Sequence, residues 1–154
     1  MSLSQLWRDY TLMFLALSAL AFVVLFAVGF FFPDFNMDYA NAVGFIIPAI
    51  AGMQLGEVYF TKTGTRLGGG LAWKVSALGA LTASAFGVAF VMLMVYLVPD
   101  MFGGNIPSGR EIILTNLAIL VGVMLLLTPA IRGFIALGTR SAAKNAERLA
   151  AKGK

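Results

Sequence analysis

Residues 11–32 read TLMFLALSALAFVVLFAVGFFF, with no charged side chain from Thr11 to Phe32. A helix rises about 1.5 Å per residue and the hydrocarbon core of a bilayer is about 30 Å thick, so about 20 such residues cross it. Inside lipid each unpaired backbone group costs several kcal/mol, and a helix pairs its own. The run reads as a membrane-spanning helix, and it defines what to look for in the rest of the chain.

Three more stretches lack charge: Tyr39 to Gly56, Val75 to Pro99 and Ile112 to Ile131. The second reaches spanning length once Glu57 to Phe60 are added. The expected fold is all-α: a polytopic membrane protein whose residues 1–138 form a four-transmembrane-helix bundle. Its spans cover about residues 10–32, 39–60, 71–98 and 112–132, and residues 139–154 form a basic helical tail. Trp7, Tyr10, Trp73 and Tyr96 stand near span ends, where amphipathic rings prefer the headgroup level. Asp38 suits the N-cap of the second span. Ser108-Gly-Arg-Glu111 has the capping-box pattern ahead of the fourth, and Asp100 to Gly109 is rich in turn residues. The first run is longer than a signal-peptide core, so it is expected to stay as an uncleaved span.

Composition fits. Sixty per cent of the 154 residues are hydrophobic and 12 per cent charged, against about 25 per cent charged in soluble domains. Of the Lys and Arg residues, only Arg110 falls on one side of a four-span topology. Arg8, Lys62, Arg66, Lys74, Arg132, Arg140, Lys144, Arg148, Lys152 and Lys154 fall on the other. Cations are retained in the cytoplasm, so the expected orientation has both termini inside (N-in, C-in).

Small residues mark where membrane helices approach closely. The second span carries Gly52-x-x-x-Gly56. The third carries Ser76, Gly79, Ala80, Ala83, Ser84 and Gly87, and the fourth Ala118 and Gly122. The first is bulkier, with Phe14, Phe22, Phe26 and Phe30. Spans two and three are expected to pack most tightly and the first to face lipid. The face made by Gly52, Gly56, Gly79, Ala83 and Gly87 either holds the monomer together or docks another subunit. Pro48 and Pro129 are expected to kink their helices, freeing a carbonyl at Gly44 and in the turns beside Ile131 that neighbours, Thr128 among them, must satisfy.

The chain has neither cysteine nor histidine. Thiolate zinc sites, cysteine nucleophiles and imidazole ligands to haem or metal are therefore excluded, and no cofactor is expected. One carboxylate in a span invites a functional reading, Glu57. About 27 Å of helix rise separates it from Tyr39, which puts it near the cytoplasmic interface. One reading pairs it with Lys62, Arg66 or Lys74. The other makes Glu57, with Gln54 one turn back, an ion or proton site. Thr115, Asn116 and Asn41 are polar enough to bond between helices. The loop Gly64-Thr-Arg-Leu-Gly-Gly-Gly70 lacks the Lys-Ser/Thr ending and the preceding strand of a P-loop. It reads as a flexible connection whose cations meet anionic headgroups. The same contact is expected of Lys62, Arg66, Lys74, Arg132, Arg140, Lys144 and Arg148. The tail has no aromatic for base stacking, so no nucleic-acid partner is expected.

The stretch from Ala51 to Leu67, with Phe60, Lys62, Gly64 and Arg66 in place, resembles the central signature of a family of small four-span bacterial inner-membrane proteins of uncharacterised activity. Leu67 stands where that pattern usually has proline. The resemblance implies a bacterial inner (cytoplasmic) membrane location and no particular activity. The residues as a whole point to a non-catalytic protein, not an enzyme. It is expected to be an accessory or scaffolding subunit of a larger inner-membrane complex, whose partners are the bilayer, anionic lipid and other membrane subunits or copies of itself. The alternative is a small oligomeric transporter or channel using Glu57.

Overall fold

In a computed structural model the described residues are 1–32, 40–97 and 109–152. They form four helices: α1 (Leu3–Phe31), α2 (Ala40–Thr63), α3 (Gly69–Leu97) and α4 (Gly109–Lys152). All four are long and apolar enough to cross a membrane. The expected Asp38 N-cap, the Ser108–Glu111 capping box, the Asp100–Gly109 turns and the side chains of Asn41 and Asn116 lie outside the described residues or side chains.

The helices are longer than the apolar runs, for local reasons. α1 begins at Leu3, not near residue 10, because Ser2-Leu-Ser-Gln5 is itself a capping box. Ser2 Oγ accepts from the Gln5 N–H at 3.3 Å, and the Ser2 N–H donates to Gln5 Oε1 at 2.9 Å. Two orphan donors are satisfied and the helix starts about two turns before the apolar run. α2 continues past Phe60 to Thr63. There Gly64 takes a φ of +66° and donates its N–H to the Phe60 carbonyl at 2.8 Å, a left-handed stop that glycine adopts without strain. α4 runs unbroken through the boundary expected at residue 138 and includes the basic tail as far as Lys152, 44 residues in all.

Pro48 and Pro129 both lie inside helices. Thr128 Oγ donates to the Met124 carbonyl at 2.7 Å, one residue away from the Leu125 carbonyl that Pro129 leaves without its donor. Tyr10 reaches the first proline turn instead: its hydroxyl donates to the Pro48 carbonyl at 3.3 Å.

The expectation that α2 and α3 pack most tightly is overturned. α2 lies chiefly against α4, α3 against α4, and α1 against both α2 and α3, while α2 and α3 barely touch. Backbone complementarity explains it. A Cβ on Gly52 would sit 3.1 Å from the Ile131 carbonyl, and one on Gly56 would strike the Ile135 carbonyl. α4 reciprocates at Gly138, where a Cβ would strike the Met53 carbonyl. The α3 stripe serves another partner: the Tyr10 ring of α1 lies 2.8 Å from where a Cβ of Gly79 would be.

Among the described residues burial is confined to one end of the bundle. It involves Leu6, Tyr10 and Phe14 of α1, Pro48 to Gly56 of α2, Ala72 to Ser84 of α3 and Leu127 to Thr139 of α4. Among the described residues, nothing after Phe14, before Pro48, after Ser84 or before Leu127 in these helices is buried. The packed end holds the α2–α3 connection.

Candidate functional site

Three features at or beside the packed end bear on function: the close helix crossing, an apolar cleft above it and a basic pocket below it. The crossing is set by glycine. With Gly52, Gly56 and Gly138 facing the opposite backbone, α2 and α4 approach until main-chain atoms touch. Ala83 is buried in the same end of the bundle. Gly87 is not part of this contact: it is exposed and nothing lies within 4 Å of its missing Cβ. The same holds for Gly44 and Gly122, so these glycines mark no close helix approach.

Above the crossing lies the cleft, about 700 Å3, between α1, α2 and α3. Phe14, Phe22, Phe86 and Phe90 line it, with Gly44 and Gly87 widening it and Ser18 as a polar exception. Phe14 meets Phe86 edge-on at 5.6 Å and Phe22 meets Phe90 at 6.4 Å between centroids, so aromatic pairs hold α1 to α3 along one wall. Trp7 fastens the base of the same seam, its indole N–H donating to Thr82 Oγ at 3.0 Å.

Glu57 and Gln54 are not brought to either cavity. Gln54 is exposed and Glu57 half-buried. Among the described residues Glu57 makes no ion pair, against the expectation of Lys62, Arg66 or Lys74 as its partner. Lys62 instead approaches Asp9 of α1, Nζ to Oδ2 at 3.9 Å, and Asp9 also meets Arg8 at 3.4 Å. The reason is position on the wheel: Lys62 lies on the side of α2 that meets α1. Asp9 is the carboxylate that reading the sequence passed over, and its place one residue before Tyr10 on an inward-turning stripe is the signal that marks it.

The basic residues divide. Lys74, Lys144 and Arg148 are exposed on helix surfaces. Arg66, Arg132 and Arg140 line one pocket of about 140 Å3 together with Gly69 and Thr139. The Arg132 guanidinium lies over the Trp73 ring, 4.8 Å from its centroid, a cation–π contact that fixes its direction. Its Nε is buried and donates to nothing among the described residues. Thr139 Oγ already donates to the Ala136 carbonyl at 2.9 Å. Among the described residues no group of carboxylates is placed to hold a metal ion. Comparison with protein-family models, with curated proteins and with solved structures finds no match.

Proposed function

We propose that this chain is a non-catalytic, multi-pass protein of the bacterial inner membrane, serving as an accessory or scaffolding subunit of a larger membrane assembly with both termini in the cytoplasm. The observation that carries the reading is the single helix α4. It packs into the bundle from Leu127 to Thr139 and then continues to Lys152 without a break. From Arg140 to Lys152 it rises about 18 Å beyond the level of the α2–α3 connection. Arg140, Lys144, Arg148 and Lys152 recur at four-residue intervals along it. A stiff basic rod anchored in a glycine-locked crossing suits a subunit that holds something at a set distance from the membrane. It also suits contact with anionic headgroups. Orientation has the same support: Arg8, Lys62, Arg66, Arg132 and Arg140 all belong to the packed end, the side that the positive-inside rule assigns to the cytoplasm.

A transporter working through Glu57 has less support, because Glu57 and Gln54 line neither cavity described above. The test is extraction in a gentle detergent followed by native mass spectrometry. The expected result is a complex containing other subunits that loses them when residues 144–154 are removed, with the bundle still folded. A chain that runs alone, or only as copies of itself, overturns the reading.

A further inference from the structure

We propose that the pocket between the α2–α3 connection and α4 is a binding site for a phosphate group, held by Arg66, Arg132 and Arg140. Three arginines line one small cavity and no carboxylate lines it with them. Among the described residues none of the three forms an ion pair. Like charges gathered at one place repel unless an anion lies among them, and guanidinium groups match a tetrahedral oxyanion with paired N–H donors.

Four observations point the same way. Arg132 is aimed by its stack on Trp73, and its buried Nε–H lacks an acceptor, which costs free energy unless a ligand or water supplies one. Gly69, the first residue of the 29-residue helix α3, forms part of the wall. The first bond at this helix start runs from the Ala72 N–H to the Gly68 carbonyl, so the amides of Gly69, Gly70 and Leu71 precede the ladder, at the end of the dipole that favours anions. The helix start also lies close to this arginine, since a Cβ at position 69 would be in ordinary contact with Arg132 Nη2, at 3.9 Å. Size also fits. About 140 Å3 leaves room for one phosphate group among the three arginines.

The phosphate belongs either to an anionic lipid headgroup or to a free phosphate ion. The lipid source rests on the proposed reading that puts this end at the headgroup layer; binding in micelles does not depend on that orientation, so the two fail separately. The full chain in neutral maltoside micelles is titrated with phosphatidylglycerol, with phosphatidylcholine and with inorganic phosphate. Bound molecules are counted by native mass spectrometry and affinity is read from the thermal midpoint. The paired variants are Arg66→Gln with Arg140→Gln, both at exposed positions, and Lys144→Gln with Arg148→Gln, which remove the same charge from the rod.

The expected result is one saturable phosphatidylglycerol, weakened at least about tenfold by the pocket pair and less than about twofold by the rod pair. Phosphatidylcholine binds weakly or not at all. If inorganic phosphate saturates with the same dependence on the variants, the site stands and its ligand is the free ion. Equal loss in both pairs, or no saturable binding of either phosphate probe, overturns the proposal, because diffuse attraction to a basic surface then accounts for the charges.

Discussion

Gly138→Ala tests the α2–α4 crossing most directly. The added methyl would lie 2.8 Å from the Met53 carbonyl carbon, with the carbonyl oxygen nearer still. Non-bonded heavy atoms rest about 3.5 Å apart, so the two helices must separate by about 0.7 Å or more at this point. The obstacle is main chain, which no rotamer change can move aside. Overpacking costs about 1–3 kcal/mol, and a rigid contact belongs at the upper end. Alanine's better helix propensity returns about 1 kcal/mol. The net expectation is a loss of about 2 kcal/mol. Gly133→Ala, on the same helix with nothing within 4 Å of its Cβ, should be neutral or gain up to about 1 kcal/mol. Reversible unfolding in mixed micelles, titrated with a denaturing detergent, measures both. Gly56→Ala acts on the same crossing through the Ile135 carbonyl. A separation already made for one methyl serves the other, so the double variant should lose less than the sum of the singles. Equal stability for Gly138→Ala and Gly133→Ala, or strict additivity of the pair, would refute the idea that backbone contact sets this crossing.

Other expectations are simpler. Tyr10→Phe removes one long hydrogen bond and should cost about 0.5 kcal/mol, whereas Tyr10→Ala also empties the space above Gly79 and should cost about 3 kcal/mol in the same unfolding assay. Asp9→Asn should change stability by less than about 1 kcal/mol, because the Lys62 side chain is 57% exposed and solvent screens the pair. Glu57→Gln should leave insertion, assembly and any ion flux in reconstituted vesicles unaltered; a pH-dependent flux abolished by this change would restore the transporter reading. Single cysteines at Ser4 and Gly103, probed with an impermeant thiol reagent on intact cells, should label at Gly103 alone, and labelling at Ser4 would reverse the orientation.

The sequence by itself determined the number and kind of elements. Three uncharged stretches of spanning length, and a fourth that reaches it once Glu57 to Phe60 are added, leave helices as the economical way to satisfy the backbone in lipid, and this depends on composition along the chain, not on neighbours. It also singled out Gly52 and Gly56 as a close-approach site, because that spacing places two missing side chains on one helix face. What faces them was not legible. Small residues announce that a backbone can come near without saying whose, and α3 carried the longer stripe, so it looked the better partner. Tertiary structure assigned the crossing to α4, where Gly138, which sequence reading gave to the edge of a tail, supplies the reciprocal gap. The pocket has the same origin. Arg66, Arg132 and Arg140 were legible only as cations in a long basic series. Their meeting at one cavity follows from laying the α2–α3 connection beside α4, two segments more than 60 positions apart in the chain. Charge along a sequence sorts residues to one side of a membrane; which of them share a cavity is decided by helix–helix contact, and that is set by shape.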